Sequence, residues 1–516
     1  MVVNEELLSK CEAHVRRYGT TDKLTEHQPT ADYFGSRHKF AFMAFLGLAV
    51  VYMMRVNLSV TIVDMVRMPS SSATTINTTK RIPTSTVCPI RNSPTTFTVD
   101  RQPPSICFVF RLCNDGEFDW DIKTQGLVLG SFFWGYTVTQ IPGGLLSRKC
   151  GGKNVLGIGI FLTGLLSLAT PSAARSSIPT LITVRILTGL AEGVTLPAVH
   201  HMLSAWVPTQ ERSTIGAFVL AGMQFGTVLA LPLSGFLCDV NLDGGWPLAF
   251  YVPGFLAVIW FLGWWWAVSD SPENDPHISE DERKFIQIST GNLQRDATLQ
   301  TPWLDMATSV HVWAILIAHI GKSWGFSILL TELPTYLNTV LHFNMKPNCL
   351  LSAMPYMAMW LCSIIFSFVA DALRSKHILS TTQTRKLFNT IGFIAPAIAF
   401  VGASFTGCDQ TATVTLIILA TAFIGAVYSG FEVNHIDIAP EHAGVLMGIT
   451  NCLASTCGFI APYVISRIVT TQGSVDQWRI VFLLSAGVYV VTNFFYVIFA
   501  TGEEQQWNRA KRSETS

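Results

Sequence analysis

Three basic side chains fall inside stretches otherwise fit for lipid: Arg55 in FAFMAFLGLAVVYMMRVNLSVTIV, Arg185 in IPTLITVRILTGLAEGVTLPAV, and Lys322 in VWAILIAHIGKSWGFSILL. A charge at the bilayer centre costs roughly 2.5–3.5 kcal/mol on insertion scales, so a spanning helix that carries one turns it toward a polar interior. Glu192, the one acid that hydropathy places deep in a span, follows Arg185 by seven residues. That spacing is two helical turns, about 10.5 Å, with both side chains on nearly the same face. Gly189 lies between them and offers no side chain, so a ligand or the first span can approach closely. Three cations facing one acid describe a cavity built for an anion: Arg55, Arg185 and Lys322 hold the substrate, and Glu192 takes a proton or helps hold Na⁺.

Other side chains near these positions have commoner structural roles. His319 sits one turn before Lys322 and titrates near neutral pH if it meets water, although a hydrogen-bonded core histidine is the more usual case. Tyr136, with Phe132 and Trp134, is a candidate to line the cavity, and aromatics at such spacing usually pack. His200 and His201 end the fourth span and are expected to meet water or headgroups; Glu332 is expected at the outer end of the seventh. The Gly-rich turn GGLLSRKCGGK lacks the spacing and the Lys-Ser/Thr pair of a nucleotide-binding loop. The work of this chain therefore draws on an ion gradient, H⁺ or Na⁺, with no cofactor and no metal site: apart from Cys88, Cys107 and Cys113, its cysteines are scattered and include no pair at metal-ligand spacing.

The elements that position these groups follow from composition. Of 516 residues, 49% are hydrophobic and 13% charged, about half the roughly 25% charged fraction of soluble domains. Lys plus Arg and Asp plus Glu each total 34, so net charge gives no sign of a nucleic-acid partner. A span needs roughly 20 mostly apolar residues. Twelve stretches qualify, near 40–63, 124–146, 154–172, 178–200, 214–238, 248–268, 311–337, 349–370, 388–407, 412–431, 444–468 and 479–500. The third and fourth are joined by a short PSAARSS turn. The expected fold is an all-α membrane protein, twelve transmembrane helices in two six-helix pseudo-repeats. A cytoplasmic segment 1–39 precedes a first bundle 40–268 that includes an outer loop 64–122; a linker 269–310, a second bundle 311–500 and a tail 501–516 follow. The N-terminal segment, with Glu5, Glu6, Arg16 and Arg17 before the first span, does not read as a cleaved signal.

Orientation comes from basic residues flanking the spans. Arg37, Lys39, Arg148, Lys149, Lys153, Arg374, Lys376, Arg385, Lys386, Arg509, Lys511 and Arg512 all fall on one side, which puts both termini in the cytoplasm, with the plasma membrane as the default location. The outer loop carries the sequon Asn77-Thr78-Thr79, a glycosylation acceptor, whereas Asn57-Leu58-Ser59 is shielded within the first span. Cys88, Cys107 and Cys113 share that loop, and one pair bridges or all stay as thiols. In the linker, Ser279 is placed to cap a charged helix with Glu282 three residues on, a pattern usual for a solvated face.

A faint internal repeat divides the spans six and six. Trp206-Val207-Pro208 with Glu211 is echoed by Ile438-Ala439-Pro440-Glu441, an offset of 232, and Pro232 by Pro462, an offset of 230. GGLLSRKCGGK has its counterpart in FVADALRSKH.

GSFFWGYTVTQIPGG at 130–144, RILTGLAEGVTLPAVHHMLSAWVPTQERS at 185–213 and NHIDIAPEHAGVLMGITN at 434–451 resemble the anion/cation symporter branch of the major facilitator superfamily. That branch holds sialin, the vesicular glutamate transporters and sodium/phosphate cotransporters, with insect inorganic phosphate cotransporters the nearest in look. The resemblance covers essentially all twelve spans. It implies the major facilitator fold and carries roles in substrate or proton handling onto Arg55, before its Asn-Leu-Ser run, and onto Arg185 and Glu192. Two positions depart from the vesicular glutamate transporters. Lys322 stands where they have an Arg, keeping the charge but losing the fork that grips a carboxylate twice, and Leu129 stands where they have a His. Both point away from glutamate.

These readings converge on a secondary active transporter, not an enzyme, that moves inorganic phosphate or a small organic anion against its gradient by alternating access, coupled to Na⁺ or H⁺. The alternative within the class is a proton-coupled lysosomal or vesicular carrier of sialic acid-like anions. Outside it stands an anion channel, which lacks the expected charged rings and filter. The partners implied are a small anion and the bilayer, with no obligate protein partner.

Overall fold

The computed structural model describes residues 35–67, 116–238, 240, 242–290, 300–329, 336, 340, 349–470 and 474–509. Asn77, Cys88, Cys107, Cys113 and Glu332 lie outside them. Among the described residues, twelve spans run in chain order. The first half comprises span 1 (Ser36–Met65), span 2 (Ile122–Cys150), span 3 (Gly152–Ser176), span 4 (Ile178–Gly193 continued by Thr195–Trp206), span 5 (Arg212–Cys238) and span 6 (Leu248–Ala267). The second comprises span 7 (Val310–Ser327), span 8 (Cys349–Ser375), span 9 (Thr381–Phe405), span 10 (Gln410–Ile424, a 3₁₀ turn Gly425–Ser429, then Phe431–Ile438), span 11 (Ala443–Ala454 and Cys457–Ile468) and span 12 (Val475–Phe499). Ten of these are long and apolar enough to cross a membrane by length and composition alone; spans 2 and 7, richer in polar side chains, complete the dozen.

Local chemistry sets the span ends. Asp121, Ser177, Ser380, Asp409 and Ser474 each accept a backbone N–H of the following first turn, the usual role of short oxygen-bearing side chains at a helix start. The hydrogen bonds from Thr124 hold the Asp121 carboxyl below its ordinary range. PSAARSS is not the turn that the sequence suggested. Span 3 runs helical through Pro171 to Ser176, and Ser177 alone breaks the chain and caps span 4. Spans 4 and 10 also continue past their predicted ends, to Trp206 and Ile438, because the polar side chains there are buried in protein and need no lipid.

Spans 1 and 5 pack backbone to backbone: a Cβ on Gly222 would overlap the carbonyl of Phe45. The two halves meet where span 2 lies on span 11 and span 5 on span 8. One face of the bundle carries the start of span 1, the end of span 12 and the linker helix Glu280–Thr290 (the terminal face); the other carries residues 66–67 and 116–121, where the long loop leaves span 1 and joins span 2 (the loop face). On the loop face, Arg175 bridges Glu117 and Asp243, each at 3.0 Å, and pins the end of the long loop to span 3.

The linker helix has the solvated face expected of a charge run, with Glu280, Asp281 and Lys284 exposed, but its other face is docked on the protein. Ser279 does cap helix Glu280–Thr290, accepting the Glu282 N–H at 3.2 Å. Glu282, however, is buried and accepts the N–H groups of Ser36 (2.8 Å) and Arg37 (3.2 Å) and Arg37 Nη1 (2.9 Å). It therefore caps span 1, where a carboxylate is favoured by the unpaired N–H groups and the helix dipole.

Candidate functional site

A cavity of about 640 Å³ lies between the halves, with walls from both. It extends from Arg55 and Lys322 toward the loop-face ends of the spans, reaching Val60, Leu231 and Pro355. Arg55, Arg185, Lys322, Tyr136 and His319 line it.

Arg55 points from span 1 to Glu192 on span 4, its Nε donating to Oε1 at 2.5 Å and its Nη2 resting on the same oxygen. Its guanidinium lies over the rings of Tyr136 (4.4 Å) and Tyr52 (4.5 Å), so the cation is held by aromatic faces as well as by charge. Glu192 is fully buried behind it, and its Oε2 has no hydrogen-bond partner among the described residues. Lys322 repeats this arrangement in the second half, donating from span 7 to Glu432 Oε1 on span 10 at 3.0 Å, with Nζ 5.5 Å from the Tyr428 ring. Glu192 is thus not the lone deep acid. Glu432 is 1% exposed and faces the cavity, and Asp437 is buried one turn on. Hydropathy hid both, because span 10 was expected to end near 431; a buried Lys322 in need of a counter-charge was the available signal.

Arg185 differs from the other two cations. It is 4% exposed, lies 5.1 Å over the Phe132 ring, and makes no hydrogen bond or ion pair among the described residues; its Nε is orphaned. Buried charges are normally paired, so an unpaired guanidinium on a cavity wall is a ready anion site.

The remaining candidates sort by geometry. Gly189 neither lines the cavity nor faces span 1: it faces span 2, where a Cβ would overlap the Phe132 carbonyl. Its contribution is close packing of spans 2 and 4, which fixes Arg185 and Glu192 relative to Phe132 and Tyr136. Trp134 points outward, 53% exposed, while Phe132 and Tyr136 turn inward. His319 is a buried histidine at the cavity wall, its Nδ1 3.2 Å from Thr450 Oγ1. His200 and His201 do not meet water or headgroups; both are buried at the seam between the halves.

Two bridges cross that seam at the cavity floor, and both involve a tyrosine that packs on a cation. Asn451 of span 11 donates to Tyr136 OH at 3.0 Å, and Gln224 of span 5 hydrogen-bonds Tyr428 OH. Toward the terminal face the halves are joined more firmly. Asp437 accepts from Arg212 of the first half (2.9 Å) and Arg385 of the second (2.6 Å). Asp371 of span 8 accepts the N–H groups of Ser213 (3.2 Å) and Thr214 (2.6 Å) at the start of span 5, and Arg374 donates to Thr209 O at 2.5 Å. Arg148 lies 2.9 Å from His442 Nδ1. The cavity is therefore closed toward the terminal face.

Comparison with known proteins agrees with this architecture. The family pattern described as Major Facilitator Superfamily matches residues 44–462. Sialin of Homo sapiens is 42% identical over 472 residues, 92% of this chain and 90% of that protein. A Drosophila melanogaster protein named "Putative inorganic phosphate cotransporter" is 40% identical over 484 residues, 93% and 88% of the two chains. Vesicular glutamate transporter 3 of Danio rerio is 41% identical over 397 residues, 76% and 66%. A solved proton:xylose symporter shares the fold at a TM-score of 0.64 and 14% identity, over 92% of this chain and 98% of its own. A twelve-span chain with matching halves, a central cationic cavity and relatives of this kind is a membrane transporter; it belongs to the Major Facilitator Superfamily, in the branch that holds sialin and the vesicular glutamate transporters.

Proposed function

We propose that the protein moves a small anion through the central cavity by alternating access, coupled to H⁺ or Na⁺. The observation that carries this reading is Arg185, a buried guanidinium with no hydrogen bond or ion pair among the described residues, beside two cations that have both. An anion entering from the loop face meets Arg185 first as an unsatisfied partner. It then competes with Glu192 for Arg55 and with Glu432 for Lys322. Withdrawal of Arg55 leaves the buried Glu192 carboxylate without its ion-pair partner, a place that a proton or Na⁺ then takes. The same movement disturbs Tyr136 and Tyr428, whose hydroxyls bridge the halves, so ligand binding bears directly on the seam that has to part.

The cavity size favours an organic acid over inorganic phosphate. About 640 Å³ falls in the roughly 300–1,000 Å³ range of pockets for drug-sized ligands, and the aromatic walls suit a carbon skeleton. Closure of the terminal face while the cavity reaches the loop face favours a carrier over a channel. Cys408, in the loop between spans 9 and 10, is disulfide-bonded, which supports an oxidising compartment on the loop face and the cytoplasm at the terminal face. Surface biotinylation separates a plasma-membrane location, the default, from a vesicular one.

The test is uptake of phosphate, sialic acid, glutamate and urate into proteoliposomes under an imposed H⁺ or Na⁺ gradient, for the parent protein and Arg185→Ala. One anion accumulates against its gradient with the parent, and Arg185→Ala loses that uptake while remaining folded. Uptake retained by Arg185→Ala at the parent rate refutes the assignment.

A further inference from the structure

A row of contacts leads from Arg185 in the first half to span 11 in the second. The Arg185 guanidinium lies 5.1 Å over the Phe132 ring. Phe132 stacks on Tyr136, with ring centroids 5.6 Å apart and planes at 24°, and the Tyr136 hydroxyl accepts from Asn451 Nδ2 at 3.0 Å. A carboxylate held at Arg185 is therefore separated from Asn451 by two stacked rings, a gap that a ligand spans only with several carbon atoms.

Asn451 and Ser455 stand one turn apart on span 11, and both line the cavity. The span is interrupted beside them, where helix Ala443–Ala454 ends and Cys457–Ile468 begins. Irregular backbone at membrane depth is tolerated where it borders a cavity, and discontinuous helices commonly build the substrate sites of transporters.

Other hydroxyls on the cavity wall are spent on their own helices. Ser59 donates to Val56 O at 2.6 Å, Thr227 to Met223 O at 3.0 Å and Thr421 to Ile417 O at 2.8 Å. Asn451 Oδ1 and Ser455 Oγ, by contrast, have no hydrogen-bond partner among the described residues. The first accepts and the second donates or accepts, so a ligand hydroxyl placed between them bonds both. Polar groups arranged in this way discriminate against a ligand that lacks the hydroxyl, because they are then left unpaired.

We propose that Asn451 and Ser455 determine specificity: the organic acid carried has a hydroxyl several carbon atoms from its carboxylate, with the carboxylate at Arg185 and the hydroxyl on span 11. Inorganic phosphate and short unsubstituted acids reach one end only, whereas a ligand with both groups touches both halves at once. The inference rests on the reading of Arg185 as the anion site and adds the neutral end of the ligand to it.

Two pairs of acids that differ only in a hydroxyl serve as probes: para-hydroxyphenylacetate with phenylacetate, and ω-hydroxyhexanoate with hexanoate. Affinity is read in detergent from the ligand-dependent rise of the melting midpoint. In at least one pair the parent binds the hydroxylated acid about 20-fold more tightly than its partner, each neutral hydrogen bond contributing about fivefold. Asn451→Leu and Ser455→Ala each lower that preference to about fivefold, and the double variant brings it within about twofold. If Asn451→Leu does not fold, Ser455→Ala, which leaves the Tyr136 bridge in place, carries the test. Equal affinities within both pairs in the parent, or a preference unchanged in either variant, overturns the proposal. Failure of the anion-site reading shows separately, as binding of the unsubstituted acids that persists in Arg185→Ala. Absence of binding by all four acids overturns both.

Discussion

Replacing Asp371 by Asn isolates one term in the closure of the terminal face. The carboxylate sits on span 8 in the second half and accepts two N–H groups at the start of span 5 in the first. The amide has nearly the same shape and keeps one acceptor, so packing is preserved while the charge is lost. Charge-assisted hydrogen bonds contribute about 1.5–3 kcal/mol, against about 1 for neutral ones, and a negative group at a helix N-terminus contributes roughly 0.3–1 kcal/mol more. Over two bonds that is about 1–4 kcal/mol, and with the helix-terminus contribution the substitution weakens closure by about 1.3–5 kcal/mol. At 1.36 kcal/mol per decade, that lowers the closed-to-open ratio by about tenfold at the least and several thousand-fold at the most. Energy transfer between labels at Lys149 and Lys376 reads the ratio directly. A ratio within about twofold of the parent, in a protein of parent thermal stability, refutes the view that this contact holds the halves together.

Two further outcomes follow from packing and topology. Gly189→Ala drives a methyl into the Phe132 carbonyl and destabilises the protein by about 1–3 kcal/mol, read as a lower melting midpoint in detergent. Parent stability would show that spans 2 and 4 have room to separate. Asn77→Gln removes a glycosidase-sensitive mass shift in eukaryotic expression and leaves transport intact; an unchanged shift means the loop face is not lumenal or extracellular.

The sequence displays the spans because lipid imposes a long, simple constraint on each. It displays Arg55, Arg185 and Lys322 because a charge inside such a stretch is conspicuous. What it conceals is where lipid contact stops. Glu432, Asp437 and His200 follow apolar runs and look like residues leaving the membrane, yet they are buried because the partner half covers them. Partner choice was equally hidden. Arg185 and Glu192 share a helix face, as their spacing requires, but Glu192 is bound by Arg55 from span 1, and only the crossing of the two helices determines that. Glu282 illustrates the same limit, since the helix cap on Ser279 is local whereas the attachment of Glu282 to span 1 is tertiary.

The central claim is that an anion draws Arg55 away from Glu192 and so ties substrate to the coupling ion. Glu192→Gln tests it in proteoliposomes, through two fluxes measured side by side for whichever anion the parent accumulates. The amide mimics a permanently protonated carboxyl, so substrate exchange across the membrane continues, because exchange needs no turnover of the proton. Net uptake driven by a proton gradient disappears; with Na⁺ as the coupling ion, sodium dependence disappears instead, and parent uptake collapses when choline replaces Na⁺. Gradient-driven accumulation by Glu192→Gln equal to that of the parent contradicts the account.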